Sequence, residues 1–139
     1  MGGWRTAGGE AVKLLFDTHA FVWWLLADGQ LTRTARTALE NPANRLYVSA
    51  VVGWEIATKH RIGKLPEGAR VLGRLKELMP RLAIEPLPIT LEHGVTAGSF
   101  QSTHRDPFDR MIAAQAQIEN MAIVTGDRAF REFPVETLW

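Results

Sequence analysis

Apolar residues recur along this chain in two rhythms. Residues 12–16 form a nearly continuous apolar run that stops at Asp17, the pattern of a strand covered on both faces. Residues 18–27 then read as a helix that is apolar nearly all round and is closed by Asp28-Gly29. A second helix is predicted over 32–40, ended by Asn41-Pro42, and a short strand over 45–48. Ser49 can cap a helix running to about Ile62, followed by a turn at Gly63-Lys64-Leu65-Pro66. Residues 68–79 are amphipathic, with Val71, Leu72, Leu75 and Leu78 on one side, and Pro80 should stop that helix. The stretch 82–89 is a third strand that Pro86 and Pro88 demote to a sheet edge, and 90–99 is a weaker helix. Pro107 suits the first position of a helix over 107–119, with Asp106 as its N-cap. A fourth strand at 122–125, a short helix at 127–132 and an edge strand at 135–138 complete the pattern. Strands alternating with helices predict an α/β fold, with a parallel sheet wound on both sides in a single unit.

Residues 1–10 are glycine-rich and aperiodic; they read as a flexible tail, with the domain proper spanning 11–139. The chain, with 46% apolar and 22% charged residues, is composed like an ordinary globular protein. The absence of cysteine excludes disulfides and thiolate chemistry, and the four histidines lack zinc-ligand spacing. A net charge of +1 neither suggests nor excludes nucleic acid. The apolar run 20–27 is too short to span a bilayer and has no basic leader, so a cytoplasmic protein without a membrane role is expected. That same run offers more apolar surface than one sheet face can hide. Phe21, Trp23, Trp24 and Leu25 are therefore candidates for a partner surface as well as for core.

The chemistry is carried by isolated acids. Open parallel sheets place their sites beyond the carboxyl ends of the strands. Asp17 follows the first strand directly, and Asp127 follows the fourth in Thr125-Gly126-Asp127; each has helix capping as its plain alternative. Gly126 would permit a close backbone approach at that point. Glu55 projects among Val51, Val52 and Ile62 on the apolar stripe of its helix, where a carboxylate is costly without a cation; Lys59, four residues on, could pair with it. Asp109 stands in the first turn of the helix that Asp106 caps. Four carboxylates at one edge would repel each other unless a cation sat among them, and oxygen-only ligands select a hard divalent ion, magnesium best and manganese next. With no Walker lysine loop and no nucleophile motif, the reaction class indicated is phosphodiester hydrolysis by metal-activated water.

Four ordered segments, LLFDTHAFVWWL, SAVVGWEIATKHRIGKL, HRDPFDRMIAAQA and IVTGDRAF, resemble the PIN-domain ribonucleases, specifically the VapC-type toxins of type II toxin–antitoxin systems. The resemblance runs from about residue 12 onward. It implies a PIN-like three-layer α/β/α fold with a five-stranded parallel sheet, magnesium-dependent cleavage of RNA, a homodimer, and inhibition by a cognate VapB-type antitoxin. That antitoxin would lie over the first helices and touch Trp23 or Trp24. The family's acids match Asp17, Glu55, Asp109 and Asp127 as catalytic residues and metal ligands. Asp106 and Thr125 are auxiliary, Asp106 mainly as a cap. Lys59, Arg61, Lys64, Arg105, Arg110 and Arg128, with His60 and His104, flank the acidic motifs. Each alone reads as solvated surface; together they are candidates for contacting RNA phosphates.

Two other functions compete. A PIN nuclease that processes RNA or DNA without a toxin role would carry the same acids. A phosphoacceptor receiver domain would need an adjacent acidic pair after the first strand and an acceptor Asp after a central one; Phe16-Asp17 and the 82–89 segment provide neither.

Overall fold

The computed structural model describes residues 11–139. The reading of residues 1–10 as a tail lies outside the described residues. Five strands, β1 (Lys13–Phe16), β2 (Arg45–Ser49), β3 (Ile84–Leu87), β4 (Ala122–Val124) and β5 (Thr137–Leu138), form one sheet in the order β3-β2-β1-β4-β5. Every neighbouring pair is parallel. Six helices connect or flank them: α1 (Thr18–Leu25), α2 (Arg33–Glu40), α3 (Ala50–Arg61), α4 (Gly68–Arg81), α5 (Leu91–Ser99) and α6 (Pro107–Glu119). A short 3-10 segment, Arg128–Glu132, precedes β5. The expected α/β/α architecture with five parallel strands is what the chain adopts.

The central strand explains the apolar run. Leu14, Leu15 and Phe16 point alternately to opposite faces, yet all are 0% exposed, so helices cover both sides. The sheet edges fall where the sequence placed them. Pro86, paired with Val48 in β3, has no N–H to offer and sits on an outer strand, and the two-residue β5 forms the other edge. Among the described residues, no helix is long and apolar enough to cross a membrane.

Two helix ends differ from expectation. α4 passes through Pro80 to Arg81 instead of stopping at Met79. Proline removes only its own N–H, and the last turn is rebuilt by Leu82 N–H to Leu78 O at 2.9 Å and Ala83 N–H to Pro80 O at 3.2 Å. α1 ends at Leu25, earlier than Asp28-Gly29 suggested. Ala27 takes the left-handed conformation (φ 53°), and Asp28 N–H reaches back to Trp23 O at 2.8 Å.

The apolar excess of α1 is largely absorbed by the core, which corrects half of the partner-surface expectation. Phe21 and Leu25 are 2% and 5% exposed, and Phe21 packs edge-on against Phe16 at 5.6 Å. Only Trp23 and Trp24 remain half-buried. They and Leu31, Leu82, Arg36 and Glu40 line a groove of about 430 Å³. Large apolar side chains do reach solvent, but on other elements: Leu91 and Val95 on α5, and Trp54 on α3.

Candidate active site

All four acids lie at the edge where the parallel strands end, because each is fixed within two turns of a strand terminus or a helix start. Asp17 leaves β1 and caps α1: its Oδ1 accepts the Ala20 N–H at 2.7 Å. Its Oδ2 accepts the Thr125 hydroxyl, a bond that ties the end of β1 to the end of β4. The two readings of Asp17, cap and site residue, thus use different oxygens of one carboxylate. Thr125 in turn accepts the Asp127 N–H at 3.0 Å, and Asp127 caps the 3-10 segment through Ala129 N–H at 2.9 Å. Asp17 and Asp127 line one cavity together with His19, Trp23, Gly126 and Trp139. Gly126 allows a close approach, as expected, but the approaching group is a side chain: a Cβ at Gly126 would lie 2.7 Å from Cε2 of Trp139.

Glu55 and Asp109 form the second half. Glu55 is buried on α3 (4% exposed) and accepts the Thr18 hydroxyl on one oxygen and the Lys59 ammonium on the other. Since Thr18 follows Asp17, the two halves meet there. Asp109 Oδ2 pairs with His104 Nε2 at 2.9 Å. Asp106 is the N-cap of α6, accepting Phe108 and Asp109 N–H groups at 2.8 and 3.1 Å, so its capping role is present in full.

The electrostatics mark a site short of positive charge. Burial pushes Asp17 up to about 6, against the Thr125 bond, the Ala20 amide and the His19 charge, while Asp127 pushes it further up. Burial likewise raises Asp109 to about 6 despite its bond to His104, with Asp106 and Glu55 adding repulsion. Around Lys59, burial favours the neutral amine, but the Glu55 bond and the charges of Glu55, Asp106 and Asp109 outweigh it and hold the proton more tightly. Lys59 therefore sits where a cation is wanted.

The carboxylates suit a hard divalent ion in chemistry: oxygen donors with an excess of negative charge. Their side chains are at present engaged by Thr125, Thr18, Lys59 and His104. Accordingly, among the described residues no three histidine or carboxylate side chains are gathered into a ready-made metal seat. The four acids come as two adjoining pairs, Asp17 with Asp127 and Glu55 with Asp109.

Of the basic candidates, Arg61, Lys64, Arg105 and Arg128 are exposed and Lys59 is half-buried. Arg110 is not a phosphate ligand in waiting. Its guanidinium donates to the carbonyls of Ala97, Phe100, Ser102 and His104 at 2.6–3.2 Å, pinning the α5–α6 connection. Five donors in a rigid fork match converging carbonyls, and this use of arginine left no trace in the charge pattern. Sequence reasoning also missed Thr18 and Trp139, and it treated His104 as one flanking basic residue among several. A hydroxyl following Asp17, and a histidine five residues before Asp109, were the available signals.

Comparison with known proteins agrees with this fold. Residues 14–136 match the model of the PIN domain. Ribonuclease VapC22 of Mycobacterium tuberculosis is 30% identical over 119 residues, covering 85% of this chain and 89% of that protein. The crystal structure of VapBC2 from Rickettsia felis, bound to a DNA fragment from its promoter, superposes with a TM-score of 0.66 at 16% identity, over 91% of this chain and 97% of the other. FitAcB from Neisseria gonorrhoeae gives 0.60 at 21% identity, over 89% and 95%. At those identities the two structures speak for the fold. With the family match over nearly its whole length and a VapC relative across most of it, this chain belongs to the PIN domain family, in its VapC-type group.

Proposed function

We propose that this protein is a magnesium-dependent endoribonuclease and the toxin of a type II toxin–antitoxin pair. The observation that carries the reading is the set Asp17, Glu55, Asp109 and Asp127 at one sheet edge, with Asp17 and Asp109 raised to about 6 chiefly by burial, Asp127 repelling the first and Asp106 and Glu55 the second. Those four carboxylates would hold magnesium, or manganese in its place. When bound, the ion supplies an acidified water and neutralises charge on the scissile phosphate. Thr125 and Thr18 orient Asp17 and Glu55 through their hydroxyls. His104 fixes one oxygen of Asp109. Lys59 balances the acids while they lack an ion, and its flexible stem can then turn the ammonium to a phosphate oxygen. Exposed Arg61, Lys64, Arg105 and Arg128 offset the repulsion between the backbone and the acids.

The relative's name, a VapC ribonuclease, supports RNA as substrate, and neighbours that are VapBC and FitAB complexes support a VapB-type antitoxin as partner. The groove beside Trp23 and Trp24 is our candidate for its docking segment. Self-association into a homodimer belongs to the same reading, with exposed Leu91 and Val95 as its apolar surface.

The test is cleavage of single-stranded RNA by purified protein with magnesium, with excess chelator, and by Asp109→Asn. Cleavage that needs the metal and Asp109 supports the reading. Cleavage unchanged by chelator overturns it. A processing nuclease without toxin action would cleave as well, but its expression would not arrest growth, and no antitoxin would relieve it.

A further inference from the structure

We infer that the cavity beside Asp17 and Asp127 is a nucleobase subsite, in which Trp139 stacks one unpaired base of the RNA strand while the adjoining phosphate lies toward the acids. The inference rests on the nuclease reading above and adds to it how a substrate base is held.

The cavity measures about 400 Å³, within the roughly 300–1,000 Å³ of small-molecule sites. Three of its six lining residues are aromatic and form a continuous train. His19 and Trp23 have ring centroids 5.6 Å apart at 32°, and Trp23 and Trp139 are 5.9 Å apart at 48°. Both tryptophans are half-buried, so each ring is anchored yet still reachable. Trp139 is seated directly on the Gly126 backbone, at a spacing that a Cβ there would violate. Glycine at that position therefore brings an indole to within one residue of a candidate catalytic acid.

The chemistry of the lining selects the occupant. Two carboxylates repel a phosphate that enters deeply, and a purely apolar ligand would strip water from them without offering a donor. A nucleobase is flat and uncharged, so it can stack on the indole, and its N–H edge can donate to a carboxylate. Such a base must be out of a helix to enter, so the occupant is single-stranded and not duplex RNA. Arg128, exposed immediately after Asp127, is the nearest cation in sequence that could meet a neighbouring phosphate.

The experiment measures binding of a fluorescein-labelled 12-nucleotide single-stranded RNA, and of the same RNA annealed to its complement, by anisotropy with magnesium. An Asp109→Asn background keeps the RNA intact. Trp139→Leu, which keeps apolar bulk but loses the aromatic face, should weaken single-strand binding roughly 5- to 150-fold, the range of one base–aromatic stack. Trp139→Phe should stay within about 3-fold of the parent, since a π face remains. Equal affinity for Trp139→Leu and its parent, or duplex bound as tightly as single strand, overturns the subsite. If Trp139→Leu fails to fold, Trp139→Met decides: it too keeps apolar bulk without a ring, and an unchanged affinity overturns the proposal. Active cleavage by the wild-type protein with no effect of Trp139→Leu sinks the subsite alone. Base-dependent binding by a protein that cleaves no RNA sinks the nuclease reading alone.

Discussion

Lys59 and Glu55 pair across one turn of α3, and the same ammonium feels the charges of Asp106 and Asp109. In the proposed reading, the lysine supplies by charge part of what a divalent ion would. Lys59→Gln should tighten manganese binding several-fold, because the acids lose their internal counterion. The same change should lower RNA cleavage, because a phosphate contact goes with it. Calorimetry with manganese beside a cleavage assay separates the two, and weaker metal binding in the variant would refute the counterion role.

Stability should depend on pH through Asp17. Its carboxyl is raised from 3.8 to about 6 in the fold. Between those values the folded protein holds a proton that the unfolded chain has released, so stability falls as pH rises through the window and levels off above it. The contribution is at most about 3 kcal/mol. In chelator, the melting temperature should be higher at pH 5 than at pH 7.5, and Asp17→Asn should shrink the difference, leaving the share that Asp109 contributes in the same window. Magnesium should stabilise the protein chiefly at the higher pH. A melting temperature that climbs from pH 5 to 7.5, with the same slope in Asp17→Asn, would contradict this account.

Arg110→Ala should damage stability before it touches RNA binding. It would strand four carbonyls at the α5–α6 connection, three of them within 2.6–3.2 Å of a guanidinium terminal nitrogen, for a cost of roughly 2–4 kcal/mol. Arg105→Ala, by contrast, removes an exposed charge and should lower RNA affinity with little change in melting. Thermal denaturation and RNA binding of the two variants should diverge in opposite directions; matching behaviour would return Arg110 to the RNA-contacting set.

Asp109→Asn should abolish cleavage in a folded protein, whereas Asp106→Asn should leave most of it. Asn caps a helix nearly as well as Asp, and the two amide contacts of Asp106 survive the change. Equal loss in both variants would give Asp106 a direct part in the chemistry.

Most of the fold was legible because its signals are local. The run around Leu14–Phe16 could only be a strand hidden on both faces, and Asp106-Pro107 set the start of α6 to the residue. Pro80 misled because a proline close to the end of a helix costs one hydrogen bond that the next turn replaces. The acids were found as single residues, and of what engages them only the local partners, Lys59 on Glu55 and the capped amides, were foreseen. A hydroxyl beside Asp17 hints at the site but not at Glu55, 37 positions away, as its partner, and Arg110 on four carbonyls left no trace at all. The helix of Phe21–Leu25 was only half legible for a related reason: periodicity counts apolar side chains but does not say how deep a groove receives them, and here the core accepted all but the two tryptophans.

The bond between Asp17 and Thr125 spans 108 positions of sequence. Its partner strand β4 pairs with β1 at the centre of the sheet and must wait for nearly the whole domain to be synthesised. A nascent chain still in the ribosome has Asp17 and Glu55 in hand but neither Asp109 nor Asp127, and so lacks half of the acids. If the four acids act together as proposed, no cleavage is available until translation has passed β4, and the whole cutting edge would form at once instead of by degrees.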